Sequence, residues 1–297
     1  MSVRIPLPAG ELRGLALIGI GVAFFATSSV LIRLAFPISA MEVTFGRLFV
    51  GALLVTAIAS MRRELRGWFG DARAYWLYGL TMSLHFLFFT GALALTSIAH
   101  ALSLVYLAPA FIAVLSRLRL GETLSRLQIL GIGFSIVGIA LLTGFEPETS
   151  ARTLLGDFIA VLSAVMFALY SVIGRVRRQS TPLFAYTSRV YVWAAIWALP
   201  FAAVTFNPAG YTWGRVGALA LAGLLPIGIG HTLYNAAVRY VSATKTNLVA
   251  TQEVTGGVLL GALVLGEIPS PLTMVGAAIN LAGVLIVVLG GRSPRQS

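Results

Sequence analysis

Ten blocks of about 20 apolar residues, parted by short polar or basic connections, decide what this chain can become. A run of that length crosses the hydrocarbon as a helix, at 1.5 Å per residue over about 30 Å. The blocks lie near 14–33, 41–60, 74–93, 98–116, 127–144, 154–173, 183–204, 216–238, 246–265 and 272–290. Only 10% of the residues are charged, against about 25% in soluble domains. The expectation is an all-α integral membrane protein of ten transmembrane helices, with no domain outside the lipid bilayer. The first block follows Arg4 and Arg13, as a signal peptide would. It is longer than a signal core of about 7–15 residues and ends in Arg33 without a clear small-x-small site. It is read as a retained first helix.

A net charge of +11 invites a nucleic-acid reading, but its placement argues for a membrane. Arg62, Arg63, Arg66 and Arg73 cluster between spans, as do Arg175, Arg177 and Arg178. With a cytoplasmic N-terminus, such clusters fall in the inward connections, as the positive-inside rule requires. The expectations are a bacterial inner membrane, both termini cytoplasmic, and no nucleic-acid partner. Without a cysteine, disulfides and thiolate metal sites are excluded.

The chain also repeats itself. FATSSVLIR (25–33) matches FALYSVIGR (167–175), and at the same offset Arg47 meets Arg189. LGETLSRLQILGIGFSIVG (120–138) matches LGEIPSPLTMVGAAINLAG (265–283). Two five-helix repeats follow, residues 1–145 and 146–297. Because five is odd, the second is inverted relative to the first. Inverted repeats enclosing a central cavity are a recurring plan of secondary transporters, with the substrate near the midplane.

The order of Arg47, TSIAHALSLVYLAPAFIAVLSRLRLGETLSRLQILGIGFSIVGIALL, GDFIAVLSAVMFALYSVIGR and HTLYNAAVRY resembles the drug/metabolite transporter superfamily, in its ten-helix, EamA-type branch. The likeness covers essentially the whole chain and is greatest to bacterial exporters of aromatic amino acids. It implies a basket of ten helices around one cavity that exports a small molecule without ATP hydrolysis. The family commonly has prolines in the fourth and ninth spans. Pro109 matches the first, whereas Val254 stands in the second. Phe167 stands where the family often has tryptophan.

Within the spans, Glu253 is the sharpest feature. It sits roughly 10 Å along the ninth helix, where a charge costs about 2.5–3.5 kcal/mol. It either contacts a substrate ammonium or exchanges a proton, or it ties helices together through Asn235 or Lys245. Gln252 precedes it. Gly256 and Gly257, one turn on, permit close helix packing or local unwinding. Pro109 and Pro226 each remove a backbone bond and are candidate hinges. His85 and His231 are intramembrane imidazoles, suited to hydrogen bonding or proton exchange, or to plain packing. Tyr78, Tyr106, Tyr234 and Phe89 are aromatic candidates for an apolar chamber. Ser103 and Asn235 complete the polar candidates for a zwitterion. Thr27, Ser28 and Ser29 face either the cavity or a neighbouring helix. Arg47 and Arg189, close to span ends, read as structural residues that snorkel or pair with Glu42 and Asp157. Glu122 and Glu267 read as helix caps.

No Walker A, HExxH or DDxxD sequence occurs, so no metal or cofactor is expected and an enzyme is disfavoured. The function expected is export of amino acids, aromatic or bulky apolar, by alternating access. Proton coupling is left open. A broader drug or metabolite exporter is the alternative, with a membrane enzyme or pore behind it.

Overall fold

The computed structural model describes residues 9–68, 70–95, 101, 104–143, 150–266 and 268–290. The described residues are all-helical, and seven segments among them are long and apolar enough to cross a membrane.

The first rod is α1 (Ala9–Phe25) and α2 (Thr27–Ala35), interrupted at Ala26. Next come α3 (Ala40–Met61), opened by a reciprocal Ser39–Glu42 capping box, and α4 (Ala72–Leu95). The short α5 (Ala108–Leu120) ends on Gly121, whose φ of 66° is the left-handed cap that glycine adopts without strain. Ser125 and Gln128 cap α6 (Arg126–Thr143) in the same reciprocal way. There follow α7 (Ala151–Arg177) and α8 (Leu183–Thr205). The next rod is α9 (Trp213–Ala222), a π-helical stretch Gly223–His231 and α10 (Thr232–Ala237). It is followed by α11 (Ala243–Ala250), α12 (Gln252–Leu265) and α13 (Pro271–Gly290).

Three apolar blocks remain continuous spans but each carries a local irregularity, and chemistry accounts for each. Thr27 Oγ1 bonds back to the Phe24 carbonyl at 2.7 Å, and Thr251 Oγ1 to the Leu248 carbonyl at 2.7 Å. Such back-bonds compete with the helix ladder and bend it. Pro226 withholds a donor, and the chain around it widens to π geometry. Pro109, expected as a kink, stands instead in the first turn of α5, where its missing N–H costs nothing.

Two pairs of helices lie against each other antiparallel. The start of α3 meets the end of α8 through Ser39 and Thr205, 2.9 Å apart. Beyond the other end of α3, Glu64 accepts from the backbone N–H groups of Phe184 and Ala185 at the start of α8. Likewise α6 crosses α13 head to tail. Gly138 packs on Gly276 and Asn280 so closely that a Cβ on it would strike backbone. The outer face of α6, with Ile129, Leu130, Phe134 and Val137 exposed, suits lipid.

Candidate functional site

The interrupted helices converge. Ala26, at the break in the first rod, packs on Gly256, and Ser29 on Gly257, each within a turn or two of the break at Thr251. At Gly256 only a glycine allows this approach, and at Gly257 a Cβ would press on Ser29 Oγ, so close packing accounts for the pair. Beside the crossing lies a cavity of about 70 Å³. That is room for roughly five waters, at about 10–15 Å³ each by the same measure.

Aromatic rings form part of its wall: Phe25 from α1, Phe86 and Phe89 from α4, and Phe167 from α7. His85 and His231 stand among them. His231 meets Phe25 edge-on at 4.8 Å, and His85 lies 4.7 Å from both Phe86 and Phe167. Two ionisable groups of opposite sign complete the wall, Arg47 from α3 and Glu253 from α12. No ion pair of 4 Å or less joins them. Tyr106 lines the same cavity as Glu253.

The local chemistry orients these groups. Ser163 Oγ donates to the His85 carbonyl at 2.9 Å, which uses its only proton. His85 Nδ1, 2.9 Å from Ser163 Oγ and 3.1 Å from the Ser163 carbonyl, must then carry the hydrogen. That tautomer leaves Nε2 as an acceptor. Arg47 Nη2 donates to Ser28 Oγ at 2.9 Å, and its guanidinium carbon lies 5.3 Å from the Phe86 ring centre. Its Nε and Nη1 are buried and no protein acceptor takes them. His231 Nδ1 and Asn247 Oδ1, both on cavity residues, are likewise buried without a protein hydrogen-bond partner.

Toward the end that carries Arg175, Arg177 and Arg178, a bonded layer closes the space below. Asn235 Nδ2 donates to the Tyr170 hydroxyl at 2.5 Å and to the His231 carbonyl at 2.7 Å, and Tyr191 OH lies 3.4 Å away. Tyr234 donates to Ser171 Oγ at 2.8 Å. Arg178 reaches the Asn235 carbonyl, and Arg175 the Val238 carbonyl. Lys245 and Glu11 form a buried ion pair at 2.7 Å.

Of the residues singled out in the sequence, His85, Tyr106, His231, Pro226 and Glu253 line the cavity. Tyr234 and Asn235 belong to the bonded layer. Tyr78 accepts from Arg177 Nε, and Gln252 accepts from Thr255, both away from the cavity wall. Ser103 and Glu267 lie outside the described residues. Lys245 is bound to Glu11 rather than to Glu253, which removes it as the structural tie proposed for that carboxylate. Arg189 stays near its end of the bundle, bonded to the Gly67 carbonyl at 2.9 Å. Arg47 does not: it is 3% exposed and turned to the cavity, while Glu42 caps α3 and accepts from Tyr211. The signal for Arg47 was its partner: it and Glu253 are opposite charges well inside spans.

A family model described as the EamA-like transporter family matches residues 12–144 and 154–289. The chain belongs to this family. A probable terminal-alkyne amino-acid exporter of Streptantibioticus cattleyicolor is 28% identical over 191 residues, 62% of this chain and 62% of that one. The uncharacterized transporter YyaM of Bacillus subtilis is 30% identical over 169 residues, 54% of this chain and 55% of its own length. The uncharacterized protein PA1977 of Pseudomonas aeruginosa is 27% identical over 298 residues, 96% of this chain and 98% of that one. A solved crystal structure shares the fold with a TM-score of 0.80 at 19% identity, covering 92% of this chain and 95% of the other. The chain is thus a multi-pass membrane protein of a transporter family, which implies a small-molecule substrate.

Proposed function

We propose that the protein exports amino acids with aromatic or bulky apolar side chains across the bacterial inner membrane, both termini cytoplasmic. On this reading residues 1–145 and 146–297 are inverted five-helix halves, ten transmembrane helices in all, that rock about the cavity to give alternating access. The ring-lined cavity with ionisable groups in its wall carries the proposal. The antiparallel packing of α3 on α8 and of α6 on α13 supports the inverted halves. The exporter from Streptantibioticus supports the substrate class. Phenylalanine is larger than the cavity, so the wall must part to admit it, as alternating access demands.

His85, Tyr106, His231 and Glu253 are the proposed substrate contacts, joined by Ser103. Tyr234 and Asn235 close the path below them. Pro226 and the Gly256–Gly257 contact are the proposed places where helices yield. Counterflow of labelled phenylalanine in proteoliposomes tests the reading. Competition by bulky apolar amino acids and not by lipophilic cations supports it, and the absence of saturable flux rejects it. The alternative, an exporter of broader specificity, draws on the rings beside Glu253, which suit an organic cation. It predicts the reverse competition. Repeating counterflow with an imposed pH gradient reads any proton coupling.

A further inference from the structure

We infer that Arg47 receives the carboxylate of the transported molecule and Glu253 its ammonium, so that the ligand is a zwitterion held between two fixed poles. This rests on the amino-acid reading above and assigns the roles within it.

Three observations carry the assignment. Arg47 is buried, lines the cavity, and keeps Nε and Nη1 without a protein acceptor. Buried donors left unmade are costly, and a native structure retains them where something else is to be bound. Nη2 gives one proton to Ser28 and has a second. With either Nε or Nη1 it forms the two-pronged donor that matches a carboxylate. Ser28 and the Phe86 ring hold the guanidinium plane in place, so the fork is set before the ligand arrives.

The second observation is separation. A structural ion pair inside a membrane would close to contact, because each charge is expensive alone. Arg47 and Glu253 border one cavity and do not close. A ligand bearing both charges neutralises both poles at once. A simple amine would leave Arg47 unpaired, and a simple acid would leave Glu253 so.

The third is a second acceptor on the same cavity wall as Glu253. Asn247 Oδ1 is buried, belongs to the cavity wall and has no protein donor. Together with the carboxylate it offers an ammonium two of the three acceptors it needs. The ligand side chain then lies among Phe25, Phe89 and Phe167.

The test compares three ligands sharing one phenyl ring, as competitors of phenylalanine counterflow: phenylalanine, 2-phenylethylamine and 3-phenylpropionate. The unaltered protein should prefer the zwitterion over either singly charged analogue by about tenfold or more, the scale of one charge-assisted hydrogen bond. Arg47→Gln should lose the preference over the amine, and Glu253→Gln the preference over the acid, while Arg47→Lys keeps part of it. Phenylalanine flux in a protein that takes amine, acid and zwitterion alike overturns the assignment and leaves the exporter standing. So does Arg47→Gln that still rejects the amine. Absence of amino-acid flux in the unaltered protein overturns both. The comparison on the unaltered protein needs no variant, so a misfolded Arg47→Gln cannot obscure the result.

Discussion

Ser135 donates its hydroxyl to Oδ1 of Asn280 at 2.5 Å, inside the buried crossing of α6 and α13. The two residues occupy equivalent places in LGETLSRLQILGIGFSIVG and LGEIPSPLTMVGAAINLAG, so the crossing pairs a position with its own counterpart. Glycines flank it symmetrically: Gly138 meets Gly276 and Asn280, and Gly283 meets Gly131 and Ser135.

This geometry predicts opposite signs for one substitution at two sites on the same helix. Gly133 faces open space, so Gly133→Ala should be neutral or stabilise by up to about 1 kcal/mol through helix propensity. At Gly138 an added methyl strikes the backbone of Asn280, and Gly138→Ala should cost about 1–3 kcal/mol. Thermal unfolding in detergent reads both. Equal behaviour of the two variants would deny the tight crossing.

Much of this arrangement was legible in the sequence because lipid imposes simple rules. The apolar blocks and the glycine pairs could be read one residue at a time, since span length and backbone approach depend on little else. The Gly256–Gly257 contact with Ala26 and Ser29 is a case in point. Arg47 was misplaced because depth along a span does not say which face an arginine turns to. A long side chain can reach the surface or the centre from the same Cα. The breaks at Ala26 and Thr251 were missed because no proline or glycine marks them; the cause is a threonine hydroxyl bonding backward. The layer around Asn235 joins α7, α8 and α10, and only the folded chain brings those together.

That layer gives a second prediction. Asn235 holds the Tyr170 hydroxyl and the His231 carbonyl, so removing its amide loosens the closure between the cavity and the arginine-bearing end. At about 1 kcal/mol net per hydrogen bond, Asn235→Ala should shift the opening equilibrium by roughly tenfold. The chain has no cysteine, so a single Ala250→Cys on the cavity wall is a clean reporter. Its labelling by a charged maleimide added on that side should quicken in the Asn235→Ala background. Unchanged labelling would mean that the layer is not the barrier.

Lys245 and Glu11 tie the start of α11 to the first turn of α1 through a buried contact. Neutralising one member of a buried ion pair is destabilising, so Glu11→Gln should cost up to about 3–5 kcal/mol. Glu11→Gln combined with Lys245→Met should recover a large part of that loss. Tm values for the four combinations give the coupling. Strict additivity would show that the two residues are stable independently.

Glu122, in the connection after α5, sets a pH dependence whose sign can be worked out. Burial pushes its carboxyl above the ordinary carboxylate range, and Arg175 at 3.6 Å offsets this only in part. A carboxyl raised in the folded state binds its proton more tightly there than in the unfolded chain. Its stabilising contribution is therefore complete below the unfolded value and is lost as pH climbs through the folded one. Glu122→Gln has no such loss. The Tm difference between Glu122→Gln and the unaltered protein should thus become more favourable to the variant as pH is raised from about 4 to about 7. A flat difference would mean that burial and Arg175 cancel. A difference moving the other way would make the Arg175 contact the stronger influence, and α5 would then be held to α7 by charge rather than by packing.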